Sequence, residues 1–507
     1  MRVRAHTANS STHHYSAPAG LRSFAILLIS GLFCLALADI EITHRSPMLE
    51  LNRMLSGLLS PQLLPWPELF DALFQTLSYA VLAVSSAAVC GFLLSFLYQR
   101  TIIRISCTFI RSVHELFWGL VFIQLFGIHP LTGFLAIAIP YSGIFAKVFA
   151  EIREEHQSLC QLPPHSDSVS RFFYGHWPQL VPHFASYIRY RMECGLRSST
   201  ILGFIGLPTL GFHLETAFMQ GMYSQTAGLL LLFYGLIATL PFWLRFKALP
   251  FYCLLALWYL WPQHAMYGAS LAVFFADITP APFTNGANTS PTLLPWLTAI
   301  TTQELLPGVI NTLVLSQVAL LFTALLAMVL FPLVSQRFFA LPIRLTGHGL
   351  LIFLRSTPEL IIAFALLILL GPSMLPAIIA LAIHNGAIIA NLVGRQTDQI
   401  QLRLDASKGF HRYSFEILPR IYGPFLALLC YRWEVILRES AILGILGIHT
   451  LGFFIDSAFE RFALDVALLL IIVSALLNIC VDQGSRLLRH RLHLPDNLQS
   501  QTTYAAK

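Results

Sequence analysis

About a dozen apolar stretches, most of them long enough to cross a bilayer, leave few folds open to this 507-residue chain. They fall at about 23–38, 69–97, 112–127, 131–150, 179–207 and 226–244, and again at 248–262, 305–331, 348–370, 374–394, 420–448 and 462–481. A spanning helix needs about 20 mostly apolar residues, fewer with local thinning. The run at 248–262 is the shortest, and 268–276 extends or replaces it. Only 11% of residues are charged, against about a quarter in soluble proteins. The chain therefore lacks the polar shell a soluble core needs, and its fold class is all-α and polytopic, with membrane lipid as its solvent.

The ends and the cysteines add little chemistry. Residues 1–22 are Ser/Thr/His-rich and read as a cytoplasmic tail, as does 492–507. Ala36-Leu37-Ala38 resembles a signal-cleavage site, yet an uncleaved first helix is expected. The eight cysteines show no C-x-x-C spacing and read as small core residues, with no metal, disulfide or cofactor implied. Basic residues set the orientation. Arg2, Arg22, Arg100, Arg104, Arg245, Lys247, Arg486 and Arg491 fall on one side, whereas 263–303 carries no Lys or Arg. Both termini are expected in the cytoplasm. Nothing suggests nucleic-acid binding.

The chain repeats itself. Residues 197–212 align with 438–453 at ten of sixteen positions without a gap, and Tyr190-Arg191-x-Glu193 aligns with Tyr431-Arg432-x-Glu434. Phe109-x-Arg-Ser-x-x-Glu115 pairs with Phe353-x-Arg-Ser-x-x-Glu359, and Thr76-Leu77 with Thr312-Leu313. The order is collinear, which assigns 23–247 and 248–491 to two six-helix repeats. An even number of spans gives both the same orientation, with a pathway expected between them.

Charges within spans need partners or a watery setting. Glu193 and Arg197 stand at i,i+4, as do Glu434 and Arg438, which predicts a local ion pair on each helix. Arg191 and Arg432 add unbalanced positive charge. Two readings follow: a structural ion cluster at the half–half interface, or arginines facing a pathway and attracting an oxyanion through their planar forks. Gly203, Gly206 and Gly211 recur as Gly444, Gly447 and Gly452. They allow either close helix packing or a broken helix that turns back as an outer gate. The long loops 151–177 and 395–417 each end at a proline, Pro178 or Pro419.

These motifs together resemble the binding-protein-dependent permeases of the type-1 ABC importer fold, within the phosphonate/phosphite branch, as two units fused in one chain. The resemblance rests on Arg111 to Glu115, Arg355 to Glu359, Leu418-Pro419, Tyr431 to Glu434, the Ile-Leu-Gly-x-x-Gly stretches, and Tyr174-Gly175-His176-Trp177-Pro178-Gln179. It covers about 69–244 and 305–485. It implies two cytoplasmic ATPase subunits, a periplasmic binding protein, and coupling loops containing Asp167, Tyr174 and Pro178 in one half and Asp405, Ala406, Gly409 and Pro419 in the other. The family's Glu-Ala-Ala…Gly loop is altered to Asp405-Ala406-Ser407-Lys408-Gly409 in the second half and lost around 163–167 in the first. No Gly-x4-Gly-Lys-Ser/Thr loop is present, so the chain is read as a transport subunit and not an enzyme. Other readings are an ion-gradient-driven transporter, or a degenerate permease serving as sensor or scaffold.

Overall fold

The computed structural model describes residues 17–43, 46–157, 167, 170–261, 271–284, 293–403 and 409–492. The protein is all-α and polytopic. Among the described residues, six helices are long and apolar enough to cross a membrane, four bent helix pairs raise that to ten, and Arg22–Leu37 and Phe246–Leu260 are shorter apolar helices.

A lead helix α1 (Ala17–Leu37) and a short α2 (Pro47–Leu59) precede the first bundle. That bundle comprises α3 (Trp66–Leu97), α4 (Thr101–Ser112), α5 (Glu115–Phe126), α6 (Pro130–Gln157), α7 (Trp177–Ile201), α8 (Leu210–Met219) and α9 (Tyr223–Trp243). A second lead helix, α10 (Leu249–Leu260), and the short α11 (Leu271–Ile278) follow. The second bundle repeats the first: α12 (Leu293–Leu333), α13 (Leu341–Ser356), α14 (Glu359–Leu370), α15 (Met374–Gln399), α16 (Leu418–Ile442), α17 (Leu451–Glu460) and α18 (Leu464–Arg491).

The span expected at 348–370 is bent in its middle, and that expected at 112–127 begins at the matching corner. The chain turns by 90° between α4 and α5 and by 88° between α13 and α14. Val113 and His114, like Thr357 and Pro358, adopt extended backbone at the corner. A proline at 358 disfavours helix at the residue before it. At twelve residues, α5 and α14 are each about 18 Å long. That is too short to cross a hydrocarbon core of about 30 Å unaided.

The two lead helices cross over. Along α1, Ser23 Oγ lies 2.8 Å from the Tyr422 hydroxyl of α16, and Ser30 Oγ accepts from Gln317 Nε2 of α12 at 2.8 Å. Gly31 packs so closely on Leu321 that a Cβ there would come within 2.6 Å of it. On the other side α10 lies along α3, where Tyr259 hydrogen-bonds Asp71 and stacks near Phe74 at 5.8 Å. A boundary at 247/248 divides the chain in sequence, but each lead helix packs on the opposite bundle.

One apolar core lies within the first bundle, and a second fills the second bundle and takes in Val113, Leu116, Phe117 and Ile201 of the first. A third cluster joins α3, α8 and α9 to α14 of the other half, with Phe218 and Phe364 edge to face at 5.5 Å.

Candidate functional site: a charged cavity between the halves

Helices α7 and α16 carry the repeated motif and break in the same way. Each gives way to a short 3-10 turn, Leu202–Ile205 or Leu443–Leu446, and then to a left-handed glycine, Gly206 at φ +87° or Gly447 at φ +83°. Such φ values favour glycine, which has no Cβ to clash. The helix axis is deflected by 52° in the first half and 44° in the second, so the chain bends here and does not double back. Gly211 and Gly452 permit the bend: a Cβ would lie 1.7 Å from the Thr200 carbonyl oxygen in one case and 1.5 Å from that of Ala441 in the other. Gly203 and Gly444 lie against the amides of Phe212 and Phe453. The new helix is capped from a distance. Thr76 Oγ1 accepts from Leu210 N at 2.9 Å, and Thr312 Oγ1 from Leu451 N at 2.9 Å. The paired threonines of the repeat thus satisfy one of the orphan amides at each restart.

Below the break, α7 and α16 face each other across a cavity of about 140 Å³, which also takes side chains from α5, α6, α14 and α15. Arg191, Arg197, Arg432 and Arg438 all line it. The expected i,i+4 pairs do not form. Glu434 is taken by Arg111 Nη1 at 2.9 Å, while Arg111 Nη2 reaches Asp482 at 2.9 Å and Asp482 also binds Arg486 at 2.6 Å. Neither Glu193 nor Glu434 lines the cavity.

The two arginines released from those pairs act across the interface instead. Arg438 Nη1 donates to the carbonyl of Arg111 at 3.1 Å, and Arg197 Nη1 to the carbonyl of Arg355 at 3.3 Å. These carbonyls lie in the last turns of α4 and α13, where no intrahelical donor exists. A buried orphan carbonyl is costly, and the arginine supplies its missing donor. At the same corner the Ile110 carbonyl accepts from Trp118 Nε1 and the Ser112 carbonyl from Asn478 Nδ2. Arg197 and Arg438 each keep a buried Nε with no hydrogen-bond partner among the described residues.

Arg191 sits among three tyrosine rings, Tyr141, Tyr187 and Tyr190, at 5.3–5.7 Å, and its Nε donates to the Tyr187 hydroxyl at 2.8 Å. Cation–π attraction holds it there. Arg432 donates to Asn385 Oδ1 at 3.3 Å.

Several lining residues escaped the sequence reading as site groups: Glu115, Glu359, His384 and Glu439. The two glutamates close the repeated Arg-Ser-x-x-Glu stretch, and His384 is the sole ionisable group of the 374–394 apolar run. A histidine at such a position is itself a signal of function. Its Nδ1 lies 3.0 Å from the Thr357 carbonyl and therefore carries the proton, leaving Nε2 to accept from Arg197 at 3.3 Å. Glu359, His384 and Glu439 offer ligand atoms within 4.8 Å of one another. The Arg197 guanidinium against the imidazole opposes a cation there.

The coupling candidates lie at one end of α7 and α16. A single π-helical turn, Arg171–His176 or Arg412–Ile417, leads into each helix, with Pro178 or Pro419 in its first turn. Tyr174 is 85% exposed and its repeat counterpart Phe415 is 74% exposed. Gly409 takes φ +66° and Asp167 is exposed. Asp405 and Ala406 lie outside the described residues.

No family model and no solved structure matches the chain. Among curated proteins it is 25% identical over 451 residues to the phosphate-import permease protein PhnE of Mycolicibacterium smegmatis, covering 82% of this chain and 84% of that protein. It is 27% identical over 177 residues to the phosphite transport system permease protein PtxC of Stutzerimonas stutzeri, covering 32% and 64%. Over 77 residues it is 31% identical to the putative cryptic phosphonate transport system permease protein PhnE2 of Escherichia coli, covering 15% and 63%. The chain is thus a non-enzymatic transport permease, distantly homologous to the permease subunits of phosphate, phosphite and phosphonate ABC systems.

Proposed function

We propose that the two halves form the membrane path of an ATP-driven importer for a phosphonate or a related small oxyanion, phosphite or phosphate. One observation carries this reading. Arg197 and Arg438, one from each half, are each held by the opposite half, and both line one shared cavity. Guanidinium groups suit tetrahedral oxyanions because they donate in parallel. The names of the relatives support the substrate class.

In this scheme the coupling segments face the cytoplasm and two ATPase copies dock on them, with Tyr174 and Phe415 as exposed anchors. A periplasmic binding protein delivers substrate to the opposite side, where the glycine breaks act as gates. Closure of the ATPases rocks the halves about their interface. Because the first coupling segment has lost its family pattern, the second half grips its ATPase more firmly.

The test is co-expression with an ATPase and binding protein in a host lacking phosphonate uptake. Growth on phosphonate as sole phosphorus source is expected, and both Arg438→Ala and an ATPase unable to hydrolyse ATP should abolish it. Growth that persists without ATP hydrolysis rejects the ATP-driven reading.

A further inference from the structure

The two walls of the cavity are related by the repeat but are not chemically equal. On the first-half wall, Glu115 accepts a hydrogen bond from the Ser198 hydroxyl at 2.7 Å, and the Tyr141 hydroxyl lies 3.0 Å from the same Ser198 oxygen. The second-half residues aligned with Glu115 and Ser198 are Glu359 and Glu439, and His384 stands beside them. A carboxylate therefore stands where the first half has a hydroxyl donor. Glu439 accepts from Asn385 Nδ2 at 3.0 Å, and His384 Nε2 from Arg197. The Glu359 carboxylate makes no hydrogen bond among the described residues, although the residue is only 7% exposed. Its nearer oxygen stands 3.8 Å from His384 Nε2, beyond hydrogen-bond reach.

A buried carboxylate with no donor is costly. That donor comes with the ligand that fills the cavity, and the guanidinium groups of Arg197 and Arg438 on its lining take the same ligand's anionic oxygens. We propose that the conduit selects oxyanions that bring a hydrogen-bond donor of their own. That donor is the P–O–H of a hydrogen phosphate or phosphonate, or the ammonium of an aminoalkylphosphonate. Sulfate has the same tetrahedral shape but no proton at neutral pH, so it sets a lone pair against Glu359. A polar site rejects an analogue that leaves its buried group unpaired far more strongly than an apolar pocket rejects a missing methylene. This selectivity rests on the oxyanion reading of the cavity.

Equilibrium binding to the full chain in lipid nanodiscs tests it, with inorganic phosphate, methylphosphonate, 2-aminoethylphosphonate and sulfate as probes at neutral pH. Phosphate is expected to bind roughly 10- to 100-fold more tightly than sulfate. Glu359→Gln supplies an amide donor and should bring the two within about 3-fold. Glu439→Ser, which gives the second half the hydroxyl of the first, should do the same, so the test survives if one variant fails to give a monodisperse protein. Tighter binding of 2-aminoethylphosphonate than of methylphosphonate identifies the ammonium as the donor; equal binding identifies P–O–H. Equal affinity of the unmodified chain for phosphate and sulfate overturns the selectivity and leaves the oxyanion reading standing. Failure of every oxyanion to bind overturns both. Mn²⁺ binding that is lost in Glu359→Gln reassigns the group to a cation and likewise overturns the proposal.

Discussion

Arg438 donates from Nη1 to the backbone carbonyl of Arg111, 3.1 Å away across the interface between the halves. Its counterpart Arg197 does the same to Arg355 in the opposite direction at 3.3 Å. The two contacts tie the break-bearing helices to the elbows of the other bundle. A movement of one half is thereby felt at the corner of the other.

Removing either arginine should therefore affect transport more than assembly. Arg197→Ala and Arg438→Ala each strip one cavity-lining cation and orphan one carbonyl, a loss of about 1–3 kcal/mol. Uptake at matched membrane abundance should fall roughly 10- to 100-fold. Lysine, which lacks the fork, should restore only part of it.

The Arg111 network is a stability element. Arg111, Glu434 and Asp482 are all buried, so truncating one member strands charge. Glu434→Ala should cost about 3–5 kcal/mol in detergent-solubilised unfolding. Replacing Arg111 and Glu434 together by methionine should cost less than either alanine alone, since no uncompensated charge remains.

At the breaks, Gly211→Ala and Gly452→Ala force a methyl onto a carbonyl oxygen, whereas Gly235→Ala meets nothing within 4 Å. The first two should each lower stability by about 1–3 kcal/mol or prevent folding, and the third should be neutral. Equal thermal midpoints for all three would show that the close approach at the bend is not needed.

Thr76→Val and Thr312→Val each leave the first amide of α8 or α17 without its acceptor. Each loss should cost about 0.5–2 kcal/mol. The two sites share no partner, so the double variant should show the sum. Thermal unfolding of the single and double variants checks both.

The membrane class, the duplication and the position of the helix breaks were legible in the sequence because each is a local pattern: apolar length, collinear repeat, glycine spacing. The partners of the charges were not. Glu434 has Arg438 one turn away in sequence, yet its partner is Arg111, 323 residues distant. A neighbouring position on a helix offers a pair, but burial and an orphan carbonyl decide between candidates, and both depend on which helices meet. The elbows at 113–114 and 357–358 lie inside the two Arg-Ser-x-x-Glu stretches, but the sharpness of the turn depends on the helices packed around them and not on those residues alone. His384 was visible as a lone ionisable group, but its place beside Glu359 and Glu439 appears only once the helices are packed.

The crossed lead helices carry a consequence for the fusion itself. Each lead helix packs on the other repeat's bundle, so each bundle is covered in part by a segment of its partner repeat. In a pair of identical chains, any change in one wall is copied to its mate. Here a single polypeptide holds both, and the walls are free to differ: Ser198 stands opposite Glu439, and Pro241 opposite Asp482. Tethering lets the two sides of the cavity be tuned separately.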